Sequence, residues 1–202
     1  MLRLLQRTPA ITPETPDEAL VGRAQNGENA AFRALFERHV VSVRRFLRDL
    51  LRDAHAADDS TQESFARAHA QLPKLTERDR FKPWLLGIAR NVAYESRRVR
   101  VHDVFDTDTD GDEGDVPDAV IPSPNPEALL LNRELEAHFN QALSSLSENR
   151  RAALLMRLDH GLSYDDIAAA LGWSIPTVKN EIHRARLKLR SLLSPHLGGS
   201  HE

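Results

Sequence analysis

Cysteine is absent from the 202 residues. That excludes disulfides and cysteine-ligated zinc or iron–sulfur centres, and it removes any argument for an oxidising compartment. Long apolar runs are missing as well. The first residues, Met1-Leu2-Arg3-Leu4-Leu5-Gln6-Arg7-Thr8-Pro9, meet charge and proline before a run of signal-peptide length develops, and no later stretch approaches a membrane span. The expectation is a chain that is neither secreted nor inserted in a membrane, that works in the cytoplasm, and whose residues to about Pro16 form a mobile lead-in. Enzyme signatures are lacking too. The nine histidines are scattered without a His-Glu-x-x-His run, and there is no glycine-rich phosphate loop and no Gly-x-Ser-x-Gly elbow. With no constellation of titratable groups, neither catalytic residues, metal nor cofactor is expected. An Asp106, Asp108, Asp110, Gly111 run imitates a calcium loop, but the acid required at its twelfth position is Pro117.

What is present is an ordinary globular composition, 41 % hydrophobic and 28 % charged, with a very uneven distribution of charge. The net charge of −3 conceals eight acids between Asp103 and Asp118 (Asp103, Asp106, Asp108, Asp110, Asp112, Glu113, Asp115 and Asp118), a stretch without Lys or Arg. Outside it, 27 bases face 22 acids, so the folded parts are net basic. The acidic stretch continues into Pro117, Pro122, Pro124 and Pro126, with too little apolar surface to offset the entropy of ordering. Residues 101–126 therefore read as a flexible linker, extended by its own charge, between an N-terminal module at 17–100 and a C-terminal module at 127–195.

Both modules carry helical periodicity and no strand signal, so the fold class is all-α with two small helical domains. Phe32, Leu35, Phe36, His39, Val40, Val43, Leu47, Leu50 and Leu51 trace one face. From His55 to Leu72, residues Ala57, Thr61, Phe65, Ala68 and Leu72 point inward, with Asp58, Asp59, Gln62 and Glu63 outward. A third helix from about Arg78 to Arg100 buries Leu85, Ile88, Ala89 and Val92. After the linker, residues 126–143 and Glu148 to His160 read as amphipathic helices, the latter stopped by Gly161.

The next stretch is a helix-turn-helix pattern. Ser163-Tyr164-Asp165-Asp166 opens a helix in the manner of a capping box, Ile167, Ala168 and Leu171 are apolar, and Gly172-Trp173-Ser174 makes the turn. On the final helix Ile175, Val178, Ile182, Ala185, Leu189 and Leu192 form an apolar stripe, and Lys179, Asn180, His183 and Arg184 point the other way. Five bases and one acid between Ser174 and Ser194 suit a helix that enters the major groove, with polar side chains near its start to read base edges.

Two separated blocks resemble the extracytoplasmic-function (ECF) sigma factors of bacterial RNA polymerase. The first is Ala57-Asp58-Asp59-Ser60-Thr61-Gln62-Glu63-Ser64-Phe65, followed by Phe81-Lys82-Pro83-Trp84-Leu85-Leu86-Gly87-Ile88-Ala89-Arg90-Asn91 and Arg97-Arg98. The second is Gly161-Leu162-Ser163-Tyr164-Asp165-Asp166-Ile167-Ala168, then Thr177-Val178-Lys179 and Arg184-Ala185-Arg186. Ser60 stands where the family usually has an apolar residue, and Leu146-Ser147 replaces a common Leu-Pro pair.

The resemblance implies a transcription initiation factor that binds the polymerase core (the β′ coiled coil and the β subunit) and promoter DNA, and that an anti-sigma protein holds inactive. Asp58, Asp59, Gln62 and Glu63 match the polymerase-gripping face, whose acid and amide chemistry suits a basic partner helix better than phosphate. Lys74, Arg78, Arg80, Lys82, Trp84, Arg90, Asn91, Arg97 and Arg98 fall in the part that opens and reads the −10 element, with Arg100 adding charge. Residues 73–80 correspond to its base-capturing loop. Ser174, Thr177, Lys179, Asn180, His183 and Arg184 fall on the −35-reading helix, Thr177 as a phosphate contact. Phe81 and Trp84 have a competing role as core aromatics. The alternative function is a dimeric helix-turn-helix regulator, which would bind its operator without polymerase.

Overall fold

The structure is a computed structural model that describes residues 10–103, 138, 139 and 141–197, the side chains of 99–103 and 195–197 excepted. The linker assigned to 101–126 lies outside the described residues beyond Asp103, as does most of the helix expected at 126–143. No strand occurs among the described residues.

Helix α1 (Asp17–Gln25) starts after Pro16, with Asp17 and Glu18 in its first turn, where acids complement the helix dipole. Gly27, at φ +87°, turns the chain into α2 (Asn29–Leu51). Asp17 fastens the two helices by accepting from Arg38 Nη1 at 2.6 Å and pairing with His39 Nε2 at 2.7 Å. Burial pushes the Asp17 carboxyl up, but His39 and Arg38 together hold it below its ordinary value. Asp53 caps α3 (Ala54–Gln71), its carboxylate accepting from the Ala56 N–H at 2.8 Å. Two 3-10 turns, Leu72–Lys74 and Arg78–Arg80, lead into α4 (Phe81–Asp103), which carries Pro83 in its first turn, where a missing N–H costs nothing.

The apolar stripe read from the sequence becomes the core of this module. Leu35, Val43, Leu47 and Leu50 of α2 pack with Phe65 of α3 and with Phe81, Leu85 and Leu86 of α4. Phe36 differs, since it is 39 % exposed and stacks edge-on against Phe65 with ring centres 4.7 Å apart. Ser60 is buried, and its carbonyl accepts the hydroxyl of Ser64 at 2.5 Å.

In the C-terminal module, Ser147 supplies the N-cap geometry of α5 (Glu148–Leu158) without a side-chain cap hydrogen bond. Ser163 and Asp166 form a reciprocal capping box at the start of α6 (Tyr164–Leu171), and Gly172 closes that helix at φ +66°. In α7 (Ile175–Leu197) the expected stripe is buried at Val178, Ile182, Ala185 and Leu189, whereas its ends, Ile175 and Leu192, are exposed.

The modules do not stand apart. Their buried side chains form one continuous cluster, and α4 packs directly on α6. At the crossing, a Cβ on Gly87 would lie 2.8 Å from the Ala170 carbonyl oxygen, so the two backbones approach as only glycine permits. Arg151 of α5, 4 % exposed, spans the boundary. Its guanidinium donates to the carbonyls of Leu143 (3.0 Å), Ser144 (3.1 Å) and Leu146 (3.3 Å), and to that of Leu50 (2.9 Å) at the end of α2. Helix-end carbonyls thus receive a charged donor in place of water.

Candidate nucleic-acid interface and partner surface

Helix α3 presents an acid-and-amide face because its other side is committed to the core through Ala57, Thr61, Phe65 and Ala68. Asp59, Gln62 and Glu63 are exposed on successive turns. Asp58, half-buried, is gripped by Arg44 of α2 through both carboxylate oxygens, the second at 3.0 Å from Nη2, and this hydrogen-bonded pairing lowers its carboxyl below the usual range. Glu63 accepts from Arg67 Nε at 2.6 Å, and Arg67 also reaches Glu95 of α4 at 2.7 Å. Of the four residues, Asp59 and Gln62 are therefore presented outward, flanked by the engaged Asp58 and Glu63.

The 72–80 segment is anchored by buried Leu72 and Leu75 and rims an open hollow of about 490 Å³ against α1. Gln25, at the end of α1, crosses to it. Its Nε2 donates to the carbonyls of Leu72 (2.9 Å) and Leu75 (2.8 Å), while its Oε1 accepts from Arg78 Nε at 2.8 Å. Lys74 and Arg78 are exposed.

Along α4 the expected basic row divides. Asn91 and Arg98 are exposed, and Asn91 accepts from Arg90 at 2.9 Å. Arg80, Lys82, Arg90 and Arg97 are half-buried and engage the C-terminal module. Arg80 donates to Asp165 (2.7 Å), Lys82 to the His160 carbonyl (2.9 Å), Arg90 to Asn149 and Arg97 to Glu148 (2.5 Å). Phe81 is fully buried, and Trp84 is partly buried with its ring centre 5.9 Å from that of Phe81, so both pack the core. These contacts join residues from 51 to 85 positions apart. No sequence periodicity reports such a pairing, and Gln25 likewise had no signal beyond its place at a helix end.

Helix α7 displays its polar face to solvent. Ser174 caps it, accepting from the Thr177 N–H at 3.3 Å, with the two hydroxyls 2.8 Å apart. Lys179, Asn180, His183 and Arg184 are all exposed, Lys179 lying 5.8 Å from the ring centre of Tyr164, which Arg157 also covers at 4.9 Å. Glu181, the acid on this face, accepts from Arg150 at 2.7 Å and from Arg184 at 3.2 Å. The hydrogen bond from Arg150 leads the effects that hold its carboxyl below the usual range. Its charge is thereby compensated on the exposed face of α7.

A helix-turn-helix with an exposed basic second helix, packed on a helical module bearing an acidic face and a cationic helix, is the combination expected of a two-module transcription initiation factor. Two sequence families match the chain accordingly: Sigma-70 region 2 over residues 35–101 and Sigma-70 region 4 over residues 139–189. The chain is 34 % identical over 186 residues to the RNA polymerase sigma-H factor of Pseudomonas aeruginosa, covering 90 % of this chain and 95 % of that one. It is 30 % identical over 190 residues to the ECF RNA polymerase sigma-E factor of Haemophilus influenzae, covering 92 % and 99 %. Among solved structures it is similar to CnrH in complex with the cytosolic domain of CnrY, with a TM-score of 0.64, 27 % identity and coverage of 89 % and 97 %. It is also similar to the sigma factor RpoE in complex with the anti-sigma factor NepR from Bartonella quintana, with a TM-score of 0.62, 28 % identity and coverage of 81 % and 96 %.

The chain belongs to the ECF RNA polymerase sigma factor family. It serves promoter-specific transcription initiation with core RNA polymerase and promoter DNA, and it is not an enzyme. The dimeric-regulator alternative is set aside by the region 2 match, which a helix-turn-helix alone does not explain. No described helix is long and apolar enough to cross a membrane.

Proposed function

We propose that residues 17–100 bind core polymerase and open and read the −10 element, that residues 127–195 read the −35 element, and that residues 101–126 link the two, the protein working in the cytoplasm. The observation that carries this division is the exposed face of α7: a capped helix start followed by Lys179, Asn180, His183 and Arg184, with Glu181 neutralised by flanking arginines. On α3, Asp59 and Gln62, flanked by Asp58 and Glu63, are suited to a basic helix such as one strand of the β′ coiled coil. The hollow beside residues 72–80 has the size to take an unstacked base, with Arg78 held at its rim by Gln25 and the exposed Lys74 and Arg98 placed to follow the strand.

Arg80, Lys82, Arg90 and Arg97 contact DNA only after they release Asp165, the His160 carbonyl, Asn149 and Glu148. The packed arrangement therefore resembles a resting state, and a partner that favours it would hold the factor inactive. RpoE is bound by the anti-sigma factor NepR, and we assign this chain a protein partner of that kind. The test is run-off transcription with purified core polymerase on a library of promoter fragments. Specific starts that depend on this protein and on both promoter elements support the reading; starts that depend on the −35 element alone overturn the role given to the first module.

A further inference from the structure

We infer that Gln25 is a positioning residue for −10 recognition: from the end of α1 it fixes the 72–80 loop, and Arg78 with it, in the shape that meets the promoter base. The inference rests on the reading of that loop as the −10-reading element. Both polar atoms of the Gln25 amide are engaged. Both donor hydrogens go to loop carbonyls, Leu72 at 2.9 Å and Leu75 at 2.8 Å, and its oxygen accepts from Arg78 Nε at 2.8 Å. These bonds bridge 47 to 53 residues of chain, whereas the loop's own backbone hydrogen bonds are local, Leu75 N–H to Leu72 O and Arg80 N–H to Glu77 O, both 3.0 Å. Glutamine is suited to the task because it donates twice and accepts once from a single planar group; a carboxylate of the same shape would turn oxygens toward two carbonyls. Gln25 also lines the hollow, together with Glu18, Pro73, Leu75, Arg78 and Asp79.

A second feature of α1 serves the same arrangement. A Cβ on Gly22 would lie 3.1 Å from Arg78 Nη1, so the Arg78 guanidinium rests on the bare helix backbone one turn before Gln25. Glycine inside a helix weakens it, and here the vacancy of its side chain is filled by the arginine.

The experiment uses holoenzyme assembled from core polymerase with the full chain carrying Gln25→Glu, Gln25→Ala or Gly22→Ala. Transcription is read on templates with every base substitution at the −10 and, separately, the −35 element. Both Gln25 variants are expected to lose discrimination at the −10 element by about tenfold, equivalent to about 1.4 kcal/mol, with −35 discrimination and core affinity unchanged. Gly22→Ala is expected to keep or raise the melting temperature while lowering −10 discrimination, a split that a merely structural role would not produce. Full −10 discrimination in Gln25→Glu overturns the inference, as does a parallel loss of −10 selectivity, −35 selectivity and core binding. A loop variant, Pro73→Ala with Lys74→Ala and Thr76→Ala, separates the two failures. If it too leaves −10 discrimination intact, the reading of the loop fails; if it alone alters discrimination, only the role of Gln25 fails.

Discussion

Arg184 lies 66 % exposed at its side chain, loosely held by Glu181 at 3.2 Å while Glu181 is anchored to Arg150. An exposed ion pair of this kind contributes little to stability, so its guanidinium is cheaply released toward DNA. A bidentate contact to a guanine edge contributes roughly 1 to 3 kcal/mol of discrimination, whereas a phosphate contact weakens all sequences alike. Arg184→Ala is therefore expected to flatten preference at one −35 position, measured by transcription from −35 variants, with the melting temperature unmoved. Its exposure and polarity were legible from helical spacing. The fate of Arg80 and Arg97 was not: they carry the same charge as the exposed Arg98, yet they end on Asp165 and Glu148 of the other module.

At the scale of the element, α6 shows how much a short helix owes to its ends. With eight residues it is too short to be stable from propensity alone. It is held by Ser163 accepting from the Asp166 N–H at 3.0 Å, by Asp166 accepting from the Ser163 N–H at 3.3 Å, and by Gly172 in the left-handed region. Ser163→Ala should cost about 1 kcal/mol, seen as a lower chemical-denaturation midpoint, and should loosen the base on which α7 is aimed. This element was readable in full, because caps and turn glycines are local chemistry. The loop before α4 was legible only through the family resemblance, and its shape was not, since its brace is a glutamine from another helix.

The whole molecule depends on a close crossing of α4 and α6. Gly87→Val would place a branched side chain where a single Cβ already comes within 2.8 Å of the Ala170 carbonyl oxygen. Overpacking of this kind costs about 1 to 3 kcal/mol, which the molecule can relieve by separating its modules. The expected result is a larger radius of gyration in X-ray solution scattering with helix content preserved. His160 gives the same boundary a pH dependence. It is buried against Phe46, with Nδ1 3.1 Å from the Ser42 hydroxyl. Burial first, and then Lys82 of α4 and Arg45 of α2, push its pKa down to about 4 from an ordinary 6.5. The packed state keeps the ring neutral, while an opened or unfolded state takes up a proton below pH 6.5. The stabilisation is thus complete above pH 6.5 and declines as the pH falls toward 4, by a few kcal/mol at most. Melting temperature followed across that window should fall in the native chain and change less in His160→Gln.

Sequence alone determined the helical class, the interior stripes, the helix-turn-helix with its capping box and glycine turn, and the exposed basic face of α7, because each follows from periodicity and from interactions within a few residues. It also showed where charge collects, and so that the folded modules are net basic despite a net charge of −3. Only the tertiary structure decided that the modules pack as one body, that Arg80, Lys82, Arg90 and Arg97 are engaged across that boundary, and that Gln25 and Gly22 shape the loop that Arg78 belongs to. The physical reason is the reach of the interactions. Periodicity reports which way a side chain faces, but a hydrogen bond across 50 residues depends on how faces are brought together, and many partners of equal chemistry are available along the chain.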